Sequence, residues 1–176
     1  MIASGRCCVL ALAGLALSAC GMLDSEPPRP CPAVAVLQDV ATVTQFKPGP
    51  GRDLVDVRFE AEFGTLQSSC RYDRSRLAIT LVVDLLALKG PAADAEASDF
   101  PFFVAITERG DRVLAKEVFQ SRIDFTRERR RAGVREELEQ VLQLPAGKGG
   151  DDYELLIGFQ LAPEQLEYNR RLRGRR

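Results

Sequence analysis

The chain has 176 residues and a mass of 19.4 kDa, enough for one domain of ordinary size with appendages. Hydrophobic residues make up 45% and charged residues 28%, a balance that predicts a packed core and excludes general disorder. With 24 Lys plus Arg against 25 Asp plus Glu, the formal charge is -1 and there is no histidine, which excludes a generally basic nucleic-acid binder, the Ser-His-Asp and Cys-His nucleophile pairs, and most zinc sites.

Arg6 is the only charged residue among the first 23, and residues 9–17 are an apolar run of Val, Leu, Ala and Gly. A bilayer-spanning helix takes about 20 such residues. A short basic start, a short apolar stretch and a small-residue boundary predict a secretory signal instead. The boundary reads Leu17-Ser18-Ala19-Cys20, which resembles the lipobox of bacterial lipoproteins. In that family the Cys thiol receives a diacylglyceryl group, the signal is cut ahead of the Cys, and the new amine is acylated, as with palmitate. The resemblance implies a signal peptide over residues 1–19 and lipidation at Cys20, with attachment to the membrane through the lipid chains. Gly21 stands where the inner-membrane sorting signal of enteric bacteria is Asp, which implies the outer membrane, on its periplasmic face. An ordinary secretory cleavage after Ala19 is the alternative reading.

Five cysteines occur: Cys7, Cys8, Cys20, Cys31 and Cys70. The first two leave with the signal and Cys20 is lipidated. Cys31 and Cys70 remain, an even count in an oxidising compartment, and a disulfide between them is expected. For so long a loop the chain-entropy model gives about 4 kcal/mol. There is no C-x-x-C for a redox pair. A metal pair would lack ligands to complete its shell, so no metal or cofactor is expected.

Residues 24–32 carry four prolines in nine positions. That favours extended polyproline II and forbids helix, so residues 20–32 read as a lipidated tether. Strand and turn signals then alternate over residues 33–162. Residues 34–46 read as one strand through Val34, Val36, Val40 and Val43. Residues 55–63 follow strict period two, with Val55, Val57, Phe59, Ala61 and Phe63 on the core face. On the wet face lie Asp56, Arg58, Glu60 and Glu62. Residues 77–88 are apolar on both faces apart from Thr80 and Asp84, as a central strand requires. Residues 92–99 read as a polar, alanine-rich loop. Residues 102–107 and 112–119 flank the hairpin signal Arg109-Gly110-Asp111, with the second arm extending toward Phe125. Residues 153–161 alternate again through Tyr153, Leu155, Ile157, Phe159 and Leu161.

Residues 134–144 fit two periods. Val134, Leu138, Val141 and Leu142 suit a helix face, while Leu138, Gln140, Leu142 and Leu144 suit a strand with one polar miss. The Pro145-Ala146-Gly147 turn and the need of residues 153–161 for an antiparallel partner decide for strand. Residues 163–176 read as a short helix and basic tail. Pro163 suits its first turn, and early Glu and late Arg complement the dipole. Leu166, Asn169 and Leu172 form its contact face. Seven such strands predict an antiparallel two-sheet sandwich, immunoglobulin-like or fibronectin-III-like. The lack of Trp argues against a true immunoglobulin domain, and a small β-barrel is the alternative.

Residues suited to chemistry are few. The acids Asp56, Glu60 and Glu62 share their strand face with Arg58 and read as a solvated face rather than the paired carboxylates of a glycosidase or a calcium site. Asp151-Asp152 lacks a calcium loop, Ser68-Ser69-Cys70 lacks a G-x-S-x-G frame, and Lys148 among Gly147, Gly149 and Gly150 lacks a phosphate loop. Two arginine clusters remain: Arg127, Arg129, Arg130 and Arg131, and then Arg170, Arg171, Arg173, Arg175 and Arg176. Each could meet anionic lipid, a lipopolysaccharide phosphate or an acidic partner. Each could equally be a solvated loop or terminus.

Cys31-Pro32, Cys70, Lys89-Gly90-Pro91, and the stretches Ile157-Gly158-Phe159-Gln160-Leu161 and Leu166-Glu167-Tyr168-Asn169-Arg170 resemble uncharacterised envelope lipoproteins of proteobacteria. That resemblance implies no activity and no catalytic residues. The expected function is a membrane-anchored, non-catalytic binding or structural module of the envelope. Its partner would be another envelope protein or anionic lipid, and not nucleic acid. The alternative is a carrier or chaperone for an apolar or anionic ligand, and a hydrolase using acids alone is the third class.

Overall fold

The computed structural model describes residues 29–108 and 112–174. Eight strands among them form two four-stranded sheets. In chain order they are β1 (Ala33–Val36), β2 (Thr42–Phe46), β3 (Val57–Asp73), β4 (Arg76–Lys89), β5 (Ala97–Glu108), β6 (Arg112–Asp124), β7 (Arg131–Gln143) and β8 (Tyr153–Phe159). One helix, α1 (Pro163–Arg173), follows. The first sheet runs β1-β8-β5-β6 and the second β2-β3-β4-β7. Every pairing is antiparallel except β1 with β8. The two sheets pack face to face as the expected sandwich and do not close into a barrel. The hairpins β3–β4 and β5–β6 each stay within one sheet.

The core is the sum of the period-two faces. From β4 it takes Leu77, Ile79, Leu81, Val83 and Leu85, and from β8 Tyr153, Leu155, Ile157 and Phe159, all buried. Phenylalanines bridge the layers. Phe63 stacks on Phe159 at 4.4 Å, and Phe59 on Phe125 at 5.4 Å. Such pairs each contribute about 0.5–1.5 kcal/mol beyond their area.

The segment over residues 134–144 is strand, as expected, but its partner is β4: Leu81 lies opposite Leu138, and Leu77 opposite Leu142. The antiparallel partner of β8 is β5, not β7. The polar miss in β7 is satisfied across the open side of the sandwich. Buried Gln140 donates to Glu117 at 3.0 Å, and Ser121 donates to Glu136 at 2.7 Å.

Other expectations are corrected by parity. Residues 34–46 are two strands in different sheets, joined by a 3-10 turn at Gln38–Val40. Val34 packs against the core from an even position and Val43 from an odd one, so one strand could not turn both inward. The second expected strand starts later and runs ten residues further. Val55 lies in a 3-10 turn and is 67% exposed. A bulge between Phe63 and Leu66 shifts the inward parity from odd to even, so Leu66, Cys70 and Tyr72 continue the core face. The loop expected at 92–99 ends sooner, because β5 begins at Ala97 opposite Asp124. The turn residues 109–111 lie outside the described residues.

Helix α1 lies along β2, the edge of the second sheet. Gln165 donates to the Thr44 carbonyl at 3.2 Å, and Asn169 to those of Thr42 at 2.8 Å and Asp39 at 3.0 Å. Four helical residues rise about 6 Å and two strand residues about 6.8 Å, so amides at i and i+4 match edge carbonyls at i and i+2. The helix thereby satisfies groups that would otherwise template another strand. Tyr168 meets Phe46 edge-on at 5.0 Å.

Candidate binding surface

The segment ahead of β1, residues 29–32, joins the domain at one end of the sandwich. Cys31 and Cys70 are linked, with Cα atoms 5.7 Å apart. The expected disulfide therefore ties the segment before β1 in one sheet to β3 in the other. Tyr72, two residues on and on the same face, completes the attachment. Its hydroxyl donates to the Pro30 carbonyl at 2.5 Å and accepts from the Gly150 N–H at 2.7 Å. The Arg29 guanidinium stacks over its ring at 3.9 Å. Only glycine fits at position 150, because a Cβ there would collide with the Pro30 carbonyl. Cys20 lies outside the described residues.

The outer face of the second sheet carries a groove toward the other end. Cross-strand register places Thr44, Glu60, Leu88 and Arg131 in one row and Thr42, Glu62, Leu86 and Gly133 in the next, and direct partners share a face. The groove over these rows has a volume of about 470 Å³, with Leu172 of α1 as a wall. Leu86 is 47% exposed and Leu172 45%. Gly133 keeps Leu86 uncovered, since a Cβ there would stand 2.9 Å from the Leu85 carbonyl and 3.0 Å from Leu86 Cδ2. The apolar character of residues 77–88 on both faces was the sequence signal for this strip.

Beside it lies a shallow, open depression, the arginine hollow, lined by Leu88, Arg129, Arg130 and Arg131. Leu88 and Arg131 also line the groove, so the two concavities share a wall. Arg130 is fixed there by two hydrogen bonds to the Lys89 carbonyl, at 3.2 and 2.7 Å. Among the described residues neither Arg129 nor Arg131 pairs with a carboxylate. From Leu88 to Ile79, the partner of Cys70, β4 runs nine residues, or about 30 Å. The arginine hollow and the Cys31–Cys70 crosslink therefore occupy opposite regions of the domain.

The tail arginines do not project as one free patch. Arg170 reaches Asp39 at 3.1 Å and Arg173 reaches it at 2.5 Å, while Arg171 pairs with Glu167 at 3.3 Å. Arg175 and Arg176 lie outside the described residues. The acidic row is also broken. Asp56 is buried in the turn before β3, 2.7 Å from Lys47, and accepts from the Asp53 N–H. The Lys47 hydrogen bond, then that of Asp53, holds its carboxyl below the usual range. Glu60 and Glu62 remain on the outer face. Glu60 is close enough to α1 that its charge adds to burial in pushing the Tyr168 phenol up. Lys148 is held by Asp152 at 3.2 Å and Glu108 at 3.5 Å, as a closed turn.

Among the described residues no group of three or more His, Cys, Asp or Glu gathers around a metal-sized space, and no helix is long and apolar enough to cross a membrane. Nothing in the chain's pattern marked the Tyr72 attachment beyond its period-two spacing from Cys70, and nothing marked the hollow beyond the arginines themselves. Compared with known proteins, the chain matches no family model, no curated protein and no solved structure.

Proposed function

We propose that this chain is a lipid-anchored, non-catalytic binding module of the bacterial envelope, held through Cys20 on the periplasmic face of the outer membrane. The observation that supports it best is the separation of two surfaces. The disulfide and Tyr72 fix where the tether leaves the domain. The groove and arginine hollow open about 30 Å away along β4. A domain built this way holds a concave, charged surface clear of its own membrane. The sandwich interior is filled by side chains from both sheets, which favours a surface-binding module over a carrier with an enclosed cavity.

The anchor is tested by intact mass of the membrane-extracted protein. An acylated Cys20 as first residue is expected. An unmodified Cys20 or retention of residues 1–19 would refute it. The binding role is tested by crosslinking in membranes followed by pulldown. A discrete adduct formed through residues 129–131, with a protein or with a lipid, is expected, and an absence of either there would count against the module.

A further inference from the structure

We propose that the hollow and groove together form a site for one anionic amphiphile, a phosphate-headed aliphatic chain, with the headgroup on Arg129–Arg131 and the chain along Leu88, Leu86 and Leu172. The inference rests on reading this face as the binding surface and adds the chemistry of what it takes. Three consecutive arginines line a single concavity, and Arg130 is already held in place by the Lys89 carbonyl. Guanidinium groups match phosphate oxygens in planar, bidentate fashion. Leu88 belongs to both concavities, so an anion seated in the hollow has apolar surface directly beside it.

The acids fix the direction. Glu60 and Glu62 both lie on β3, two strands from Arg131 and on the helix side of the groove, and Glu60 stands about 10 Å from Arg131. They repel an anionic head and leave the β7 end as its place. The occupant is a single molecule and not the bilayer surface. The tether leaves the domain about 30 Å from the hollow, several times the Debye length of about 8 Å at physiological ionic strength.

The test titrates the full chain in neutral detergent with hexyl phosphate and with inorganic phosphate, by calorimetry. Hexyl phosphate is expected to bind at least tenfold more tightly than inorganic phosphate. The double variant Arg129→Ala/Arg131→Ala, in the same detergent, is expected to lose at least tenfold for hexyl phosphate. Leu86→Ser/Leu172→Ser is expected to lose affinity for hexyl phosphate and to keep it for inorganic phosphate. Thermal unfolding of each variant confirms that it is folded, and these are exposed positions. Equal affinity for the two phosphates would overturn the aliphatic half, and unchanged binding by the arginine variant would overturn the whole site. Binding to vesicles of phosphatidylglycerol with none to hexyl phosphate would also overturn it, in favour of the bilayer surface. The same titration on Cys20→Ser, which cannot be lipidated, separates this result from the anchor. Loss of the anchor leaves hexyl phosphate affinity unchanged.

Discussion

Removing the Cys31–Cys70 crosslink by Cys31→Ser/Cys70→Ser is expected to cost about 4 kcal/mol, the value of the chain-entropy model for a separation of 39 residues. With a urea slope of about 2 kcal/mol/M, the midpoint falls by about 2 M. The structure shapes how that loss is distributed. Cys31 precedes β1, a four-residue edge strand bonded only to β8. Without the crosslink, β1 is held by that ladder and by the Tyr72–Pro30 hydrogen bond, worth about 1 kcal/mol. Two readouts are therefore needed. Urea unfolding followed by circular dichroism gives the global term. Amide exchange at residues 33–36 gives the local one. If exchange there rises to the open-chain rate while the midpoint falls by less than half the expected amount, β1 detaches before the rest unfolds. A midpoint within about 0.3 M of the parent, with exchange unchanged, would refute the reasoning.

Three further outcomes are expected. Gln165→Ala/Asn169→Ala removes three hydrogen bonds, two to carbonyls of β2 and one to that of Asp39 in the turn before it, each worth about 1 kcal/mol; exchange should accelerate across 163–173 and light scattering should rise, and no change in either would show that Tyr168 and the Asp39 ion pairs hold the helix without them. Leu81→Ala, at a site with 0% exposure, should destabilise by about 3–5 kcal/mol in urea, and a loss under about 1 kcal/mol would mean the core collapses around the gap. Asp84 is held below the usual carboxylate range by the Arg135 hydrogen bond, and Glu108 by Arg112. Their stabilisation is fully present above the unfolded value of about 4 and is lost as pH falls through the lower folded values. The urea midpoint should drop from pH 5 to about 2.5, less steeply in Asp84→Asn, and a flat profile would contradict the pairing.

The layers of the fold were legible because most strands keep one parity throughout. Residues 77–88 and 153–159 carry an unbroken inward set, and both lie inside the sheets. Where parity changes, the pattern misleads. It passes through a sheet switch at Gln38–Val40 and a bulge after Phe63, and neither has a composition of its own. Asp56 misled for the opposite reason: an acid in phase with a wet face is buried because Lys47 reaches it. The disulfide was legible by counting. The tail arginines were legible as charge but not as partners of Asp39, which is 131 residues from Arg170. The groove depends on which outward residues of β4 are left uncovered by a glycine on a different strand. That is a property of register, and no single segment contains it.

The disulfide also decides how the domain bears mechanical load. Any pull on the chain ahead of Cys31 meets the crosslink before it meets β1. Without the bond, tension would run into four residues at the edge of a sheet and peel them from β8 one hydrogen bond at a time. With it, tension passes to Cys70 and enters β3, whose register with β4 extends from Phe59 to Asp73. The shortest of the described strands is thereby shielded from force, and a ladder spanning most of β3 carries it.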